Sequence, residues 1–369
     1  MLRNHTIDNH IAHPVSPLHP LSNTGAILPH RIIRNVGIDW LQVSFKGRLA
    51  FSKKYVVKQM DIETKIFKMV SGIYYNDELI ATATHSPKSP ILDPALLIIK
   101  IENKQLYVSD PVRLMQDFQK EFKFTFVNIT RIDLFRDFNE LKYGLTANNL
   151  ISRFVKGEYL RKGKGEFRLI GNSCRGIDYS YLRFGGNTSD FQVYMYNKSK
   201  EMREVKQKPW IIERAGVVGV DTSRDFWRLE VSCKNCKKEV VSLQSGEVKV
   251  PDLTYFADDK NVQSYYYALI SKYFGICHNT GKSKLSREKP VEIFSQEEDE
   301  VKVYNPTNCI SSNRTNKMVL RHLENYCEYM RGESIMGDLD RRVFVEDYIH
   351  LHGLEDYYVN KVSLGYRLL

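Results

Sequence analysis

Two tyrosines that lie two residues apart have the position of candidate nucleophiles. They belong to the segment FQVYMYNK, which alternates apolar and polar side chains as a strand with one buried face does. Because alternate side chains of a strand share a face, Tyr194 and Tyr196 lie together on the polar side. A phenol has a pKa of about 10 and is a poor nucleophile while it is protonated. Beside a cation or a base it loses its proton more easily, and its oxygen can then attack a phosphodiester.

Carboxylates and an arginine occupy the polar face of two further strand-like segments. The segment TRIDLFRDF carries Asp133 and Asp137 on its polar side, and FWRLEVSC carries Arg228 and Glu230. Each alternation alone is typical of an antiparallel sheet that has one face in water. If the three segments are neighbours in one sheet, however, a single face gathers all of these groups beside the tyrosines.

Three carboxylates on one face predict a metal site. Such groups repel one another and stay ionised together only beside a cation or an arginine. Their oxygens suit Mg²⁺ or Mn²⁺ better than zinc, so we expect Asp133, Asp137 and Glu230 to bind one of these ions. With a phenolate on the same face, the chemistry would be attack on a phosphodiester that leaves a 5′-phosphotyrosine and a free 3′-hydroxyl. Because the phosphotyrosine ester keeps the bond energy, the strand could later be rejoined.

Basic residues between positions 153 and 208 favour a polyanionic partner. This stretch holds thirteen basic and six acidic residues, a net charge of +7 out of +10 for the whole chain. The run RKGKGEFR within it is a candidate phosphate clamp, although a solvated loop before the next strand explains it equally well. The residues that we expect to contact DNA are Arg131, Arg161, Lys162, Lys164, Arg168, Arg183 and Tyr194.

Further strands would have to position these residues. Residues 36–45, VGIDWLQVSF, are rich in β-branched and aromatic side chains and predict another strand. Residues 179–197 predict a β-hairpin that turns at Gly185 and Gly186. Parity places Asp39 with apolar neighbours, so we do not expect it in the site.

Helices are predicted between and after the strands. Asp110 followed by Pro111 is typical of a helix start, and a second helix is expected to follow Thr146. Residues 260–274 and 316–331 show helical spacing of apolar side chains. Strands with interspersed helices, followed by a helical C-terminal region, predict an α+β fold rather than a doubly wound sheet.

The expected domain organisation has three parts. Residues 1–30 predict a disordered leader, residues 31–255 a catalytic nicking and strand-transfer domain, and residues 256–369 a mostly helical region with a polar linker at about 280–314. No apolar run reaches the roughly 18–20 residues that cross a bilayer, so we expect no membrane partner. Six cysteines without regular spacing indicate reduced thiols, and the expected location is the cytoplasm.

At these same residues the chain resembles a known family. Four segments are similar to the Rep_trans family of rolling-circle replication initiators, which includes relaxases of some conjugative elements. They are IDWLQVSF, TRIDLFRDF, YLRFGGNTSDFQVYMYNKSKE and WRLEVSCK, which occur in family order over roughly residues 36–235. The hairpin with its Y-N-K-x-x-E ending, followed by W-R-x-E, is the specific part. The resemblance implies an antiparallel nicking domain with an HUH-like or RRM-like sheet and helices packed on one face.

The resemblance also implies roles for single residues. It makes Tyr196 the nucleophile and gives metal binding to Asp133, Glu230 and Asp137, with Glu201 as a further candidate. Tyr194 is kept as the alternative nucleophile, because parity alone does not separate it from Tyr196. Family members often carry an arginine two residues before the nucleophile, where this chain has Tyr194. The basic residues expected at the scissile phosphate are therefore Lys198 and Arg228.

Three functions compete on this evidence. The first is a metal-dependent, site-specific nickase and strand transferase that initiates rolling-circle replication of a plasmid or mobile element. The second is a relaxase that uses the same chemistry for conjugative transfer, and the third is a DNA-binding regulator without catalysis. The implied partners are double-stranded origin DNA with a locally single-stranded nick site, a helicase encoded by the host or the element, and a second copy of the chain.

Overall fold

The structure is a computed structural model, and a ten-stranded antiparallel sheet is its main element. It describes residues 35–163, 166–172, 178–205, 207–234, 236, 239–242, 248–294 and 301–304. The strands are β1 (Val36–Lys46), β2 (Val56–Met60), β3 (Phe67–Tyr75), β4 (Glu78–Pro87), β5 (Leu96–Ile101), β6 (Thr125–Phe138), β7 (Tyr159–Arg161), β8 (Phe167–Asn172), β9 (Asp178–Phe184), β10 (Phe191–Asn197), β11 (Trp227–Lys234), β12 (Glu239–Ser242), β13 (Val248–Lys249), β14 (Ile276–His278) and β15 (Val301–Tyr304). The α-helices are α1 (Gln105–Val108), α2 (Pro111–Glu121), α3 (Ala147–Val155), α4 (Lys198–Glu204), α5 (Pro209–Val217), α6 (Leu253–Phe256) and α7 (Asp259–Leu269), and a π-helical turn at Ile270–Phe274 continues α7.

The order of strands in the large sheet is β2-β3-β4-β5-β1-β6-β11-β10-β9-β8, and all neighbours run antiparallel. Small sheets are formed by β13, β12 and β15 and by β14 and β7. The three strands that sequence alternation connects to the chemistry, β6, β11 and β10, are direct neighbours. The α+β class with a large antiparallel sheet is therefore confirmed.

One face of the sheet packs against helices and forms the core. Leu134, Leu229 and Val231 on this face are fully buried, and each such side chain contributes roughly 1.5–3 kcal/mol by burial. Helix α7 lies against them, and its Tyr266 hydroxyl donates a hydrogen bond of 2.9 Å to the backbone carbonyl of Leu229. The apolar residues that parity assigns to the inner face are thus the ones that the helices cover.

Short helices also cover one end of the opposite, polar face. The ring of Tyr107 from α1 lies 5.8 Å from that of Phe135, and the guanidinium of Arg214 from α5 lies 4.3 Å from the same ring. Phe135 points to the polar face and is fully buried, so it needs a cover on that side. Side chains of α1 and α5 provide this cover.

Local signals correctly predict the starts of two helices. The Asp110 carboxylate accepts hydrogen bonds of 3.1 Å from the backbone N–H groups of Val112 and Arg113, with Pro111 at the first position of α2. The Thr146 hydroxyl accepts from Asn149 in the same way at the start of α3. These side chains satisfy backbone donors that have no partner in the first helical turn.

Strands β2 to β5 lie within residues 56–101, for which sequence alternation gave no prediction. The first compact unit extends to Val303, and α7 in this unit packs on the sheet. Phe294 is also buried against the core.

The expected leader and the helix at 316–331 lie outside the described residues, as does nearly all of the second unit, Tyr304–Leu369. In the part of the chain that the structure describes, no helix is long and apolar enough to cross a bilayer.

Candidate active site

Tyr196 lies on the polar face of β10, between strands β9 and β11. Its neighbours in register are Tyr181 and Arg228. Its hydroxyl donates a hydrogen bond of 2.8 Å to Oε2 of Glu230 and accepts one of 3.4 Å from Nζ of Lys198. Burial, followed by the nearby Glu230 carboxylate, raises the pKa of Tyr196 well above its ordinary value. The phenol thus holds its proton at neutral pH, and Glu230 is placed to accept that proton when it is ionised.

The turn from β10 into α4 explains how Lys198 comes to lie beside the phenol. The Asn197 side chain ends the strand and caps the helix by accepting 2.8 Å from the backbone N–H of Lys200. Lys198 is therefore the first residue of α4, and its ammonium pairs with Glu201 at 2.7 Å. Glu201 opens the helix and holds Lys198, so it is better described as an ion-pair partner than as a metal ligand.

Glu230 is the most perturbed carboxylate of the site. Burial, together with the negative charges of Asp39 and Asp133, raises its pKa to about 8, against the opposite effect of Arg228 and Lys198. A buried acid with this pKa can accept and release a proton near neutral pH. The sequence prediction that Glu230 shares a face with Tyr196 agrees with this placement.

Arg228 and Asp137 form a buried ion pair instead of facing a substrate. Nε and Nη2 of Arg228 donate to the two oxygens of Asp137 at 2.7 and 3.0 Å, and Arg214 donates to the same carboxylate at 3.1 Å. The side chains of Arg228 and Asp137 have no exposed surface. The expectations that Arg228 contacts the scissile phosphate and that Asp137 binds a metal do not fit this geometry, because each side chain is already satisfied by the other.

Asp39 joins the site although parity places it on the apolar side. A β-bulge between Ile38 and Trp40 interrupts the pairing of β1 with β6, and an extra residue in a strand reverses the alternation beyond it. The Asp39 carboxylate lies 3.3 Å from the Arg228 guanidinium and accepts a hydrogen bond from the Tyr107 hydroxyl. Burial opposes ionisation of Asp39, but Arg228, Lys198 and this hydrogen bond lower its pKa.

Asp133 is held by an arginine on its own strand. Nε and Nη2 of Arg131 donate to its two oxygens at 3.0 and 2.5 Å, and Trp40 stacks 4.2 Å from the Arg131 guanidinium. Burial nevertheless raises the pKa of Asp133, since it outweighs the effect of Arg131. Arg131 is therefore committed to Asp133 and is not a free DNA contact.

The carboxylates fit a metal ion only in part. Among the described residues, no three acidic, histidine or cysteine side chains are arranged to hold a metal. Asp137 is unsuitable, and Asp133 would first have to leave Arg131. Glu230 and Asp39 remain, although Asp39 already accepts from Tyr107 and lies 3.3 Å from Arg228. One or two carboxylates are what Mg²⁺ usually takes from a protein when a substrate phosphate and water complete its shell.

The alternative nucleophile, Tyr194, has a neutral partner. Its hydroxyl donates a hydrogen bond of 2.6 Å to the Gln192 amide oxygen, and its ring lies 6.3 Å from that of Tyr181. Burial, then the charges of its neighbours, raises the pKa of Tyr194 to about 12. The geometry therefore favours Tyr196 as the group whose proton has an acceptor.

The predicted DNA contacts of the basic run have different surroundings. Arg161 donates to the backbone carbonyl of Tyr273 at 3.0 and 3.3 Å and stacks on Phe184, so it holds the fold and does not clamp phosphate. Lys162 and Arg168 are exposed. Lys164 lies outside the described residues. Arg183 pairs in register with Tyr194, and its Nη1 donates 2.8 Å to Asn187.

Three residues of this site were not found from the sequence. Asp39 requires the bulge, and Tyr107 lies in a helix of only four residues, so neither leaves a local signal. Arg214 does leave one, because it shares the buried stripe of α5 with Ile211 and Ala215. A cation inside an apolar stripe is costly unless a buried carboxylate pairs with it, and that partner is Asp137.

No family model matches this chain, and no curated protein matches it. A solved structure of a rolling circle replication initiator protein from Geobacillus stearothermophilus is similar to it, with a TM-score of 0.42 and 16% sequence identity. The match covers 70% of this chain and 92% of the other. Because the TM-score and the sequence identity are both low, this likeness does not assign the chain to a family.

Proposed function

We propose that this protein cuts and rejoins one strand of DNA through Tyr196 and thereby initiates rolling-circle replication. The observation that carries the proposal is the 2.8 Å hydrogen bond from the Tyr196 hydroxyl to the Glu230 carboxylate, with the Lys198 ammonium on the same hydroxyl. A nucleophile, a proton acceptor and a cation in contact make the arrangement that nucleophilic catalysis needs. The replication role comes from the resemblance of four segments to the Rep_trans initiators.

The cutting step follows from these contacts. Glu230 accepts the proton of Tyr196 as the phenol oxygen attacks the phosphorus of one phosphodiester. The P–O bond to the 3′ oxygen breaks, so the 5′ end stays on Tyr196 as a phosphotyrosine, and the leaving 3′ oxygen takes a proton from water and becomes a hydroxyl. Rejoining is the reverse reaction, in which the 3′-hydroxyl gives its proton to water and Glu230 returns its proton to the phenol. Lys198 stabilises the negative charge that develops on the phenol oxygen.

Mg²⁺ or Mn²⁺ is part of this proposal. Glu230 and Asp39 would hold the ion, and Asp133 would join them if Arg131 released it. When bound, the metal would neutralise charge on the scissile phosphate and ease ionisation of the phenol. The repulsion among Asp39, Asp133 and Glu230, which contributes to the raised pKa of Glu230, is the observation that supports a cation at this place.

The test compares two tyrosine variants on supercoiled DNA that carries the element's origin. With Mg²⁺ or Mn²⁺ present, we expect Tyr196→Phe to lose both relaxation of the DNA and the labelled covalent adduct. The matched variant Tyr194→Phe, on the same face of the same strand, is expected to keep the adduct. An adduct that survives Tyr196→Phe and disappears in Tyr194→Phe would give the nucleophile to Tyr194. A wild type that nicks no origin DNA with metal present would favour a DNA-binding regulator.

A further inference from the structure

A row of paired residues crosses seven strands on the face of the sheet that carries the site. In register its members are Lys58, Gly72, Thr82, Lys100, Gln42, Arg131 and Lys234. Residues that pair directly in adjacent antiparallel strands share a face. Four of the seven are cations and none is acidic, although most of the row lies in strands that the sequence analysis did not predict.

The row has the dimensions of an extended binding track. Neighbouring strands lie about 4.8 Å apart, so the six steps from Lys58 to Lys234 span about 29 Å. Lys234 is six residues along β11 from Arg228, the register partner of Tyr196, which corresponds to about 20 Å along the strand. The track and the proposed nucleophile therefore share one face of the sheet.

Three of the four cations are available for a ligand. Lys58 is exposed and has only a loose contact of 3.9 Å with Asp77, which is also exposed. Within the described residues Lys100 has no ion pair, and its ammonium lies 4.7 Å from the centre of the Trp40 ring. The Lys234 ammonium donates to the backbone carbonyl of Asn187 at 3.3 Å. Arg131, by contrast, is held by the buried carboxylate of Asp133 at 2.5 Å.

Aromatic rings alternate with the cations along the row. Tyr74 lies over Gly72, where an added Cβ would come within 2.6 Å of its ring, and the Lys58 ammonium is 4.8 Å from the centre of that ring. Trp40 contacts both Lys100 and Arg131. Its indole Nε1 is buried and finds no hydrogen-bond partner among the described residues. Single-stranded nucleic acid is typically bound by cations that contact its phosphate backbone and by aromatic rings, between these cations, that contact its bases.

We propose that this row binds the single strand of DNA that leads away from the nick. Lys58, Lys100 and Lys234 bind its phosphates, while Tyr74 and Trp40 contact its bases. The occupant is single-stranded because the row lies on strands within the sheet and carries no helix or projecting ribbon that could enter a groove of duplex DNA. The inference rests on the proposed function for the identity of the nucleic acid, but binding to the row requires no cleavage.

The test measures binding in the Tyr196→Phe background, so that cleavage cannot contribute. A fluorescein-labelled oligothymidylate is titrated at several salt concentrations, and its anisotropy reports the affinity. The triple variant Lys58→Gln, Lys100→Gln, Lys234→Gln is compared with the control Lys260→Gln, Lys284→Gln, Lys289→Gln. The control removes the same charge from three exposed lysines that lie on no strand of the large sheet. Circular dichroism checks that both variants are folded.

We expect the row variant to bind at least about tenfold more weakly and the control to bind like the parent. The slope of log affinity against log salt should fall by about 2, since each phosphate contact to a single strand contributes about 0.7. Equal affinities and slopes for the two triple variants would overturn the proposal, as would a parent that binds no oligothymidylate. A row variant that loses affinity for a hairpin duplex and keeps it for oligothymidylate would also overturn it.

The two proposals can fail separately. A wild type that nicks no DNA, but whose row variant loses oligothymidylate binding as described, would contradict the proposed function and support the track. A wild type that nicks DNA, with a row variant that binds oligothymidylate as tightly as the parent, would support the proposed function and contradict the track.

Discussion

Glu230 makes the stability of this protein depend on pH. Its pKa of about 8 in the folded state lies above its ordinary value of 4.5, chiefly because it is buried and then because Asp39 and Asp133 are near. The folded state thus binds the proton more tightly than the unfolded chain does. The stabilisation is complete below about pH 4.5 and is lost as the pH rises through about 8. An ionised Glu230 is tolerated for catalysis at a cost in stability.

We predict that Glu230→Gln is more stable than the wild type at pH 8.5 without metal. The gain is on the order of 2 kcal/mol, because the amide cannot ionise in the buried site, and it shrinks towards pH 5. Urea denaturation at the two pH values measures it, with Glu204→Gln, an exposed glutamate of α4, as the control. A stability difference that does not change with pH would contradict the assigned pKa.

Lys198 and Arg228 are both buried cations near Tyr196, but we predict that substituting Arg228 lowers stability and that substituting Lys198 lowers the cleavage rate. Lys198 contacts the phenol oxygen and pairs with a partly exposed glutamate, whereas Arg228 is the partner of the fully buried Asp137. Arg228→Gln should lose about 3–5 kcal/mol of unfolding free energy, since it leaves a buried charge without its partner. Lys198→Gln should stay folded and cut DNA about 100-fold more slowly.

Two measurements separate these outcomes. Urea denaturation gives the stability of each variant, and single-turnover cleavage of origin DNA gives the rate. An Arg228→Gln protein that is as stable as the wild type but inactive would indicate that Arg228 contacts the scissile phosphate.

At the scale of strands, alternation predicted the site where one face is buried and failed where the pairing is irregular. Leu134, Leu229 and Met195 must face the core, so Tyr196 and Glu230 must face the other way. This pattern is local and readable in the sequence. The bulge that redirects Asp39 is a property of the register between two strands that lie far apart in sequence, and such a property has no local signal.

Strands β2 to β5 escaped prediction for a related reason. β2 is an edge strand with mostly exposed residues, and β4 is built from alanine, threonine and a few larger side chains. Neither has the strong apolar alternation by which a strand is recognised. The positions of β2 to β5 in the sheet are fixed by their pairing with one another and, through β5, with β1. Sequence spacing does not show which strands pair.

The hairpin that carries Tyr196 depends on one glycine. Gly185 has φ +96°, and a Cβ there would come within 2.6 Å of the carbonyl oxygen of Phe191. We predict that Gly185→Ala costs about 2 kcal/mol or more, because it adds backbone strain to this clash. Gly186→Ala is the control, since its Cβ would meet only the flexible Glu166 carboxylate at 3.3 Å. Equal urea midpoints for the two variants would show that the turn tolerates a side chain.

At the scale of the molecule, the sheet and the helix after it form one folding unit. The core face of the sheet is covered by α7, whose Val262, Tyr265, Tyr266 and Leu269 have no exposed surface. These residues follow position 255, where the pattern changes from strands to helices and the sequence predicts a domain boundary. The compact unit that contains them extends to Val303.

We therefore predict that a fragment of residues 35–303 unfolds cooperatively in urea and that a fragment of residues 35–255 does not. Four fully buried side chains at roughly 1.5–3 kcal/mol each are worth about 6–12 kcal/mol, which is comparable with the whole stability of a typical domain. The shorter fragment also loses the Tyr266 hydrogen bond to Leu229, on the strand that holds Glu230. Tryptophan fluorescence follows unfolding in both fragments, since Trp40, Trp210 and Trp227 are retained. A shorter fragment with the same urea midpoint would mean that the sheet folds without α7.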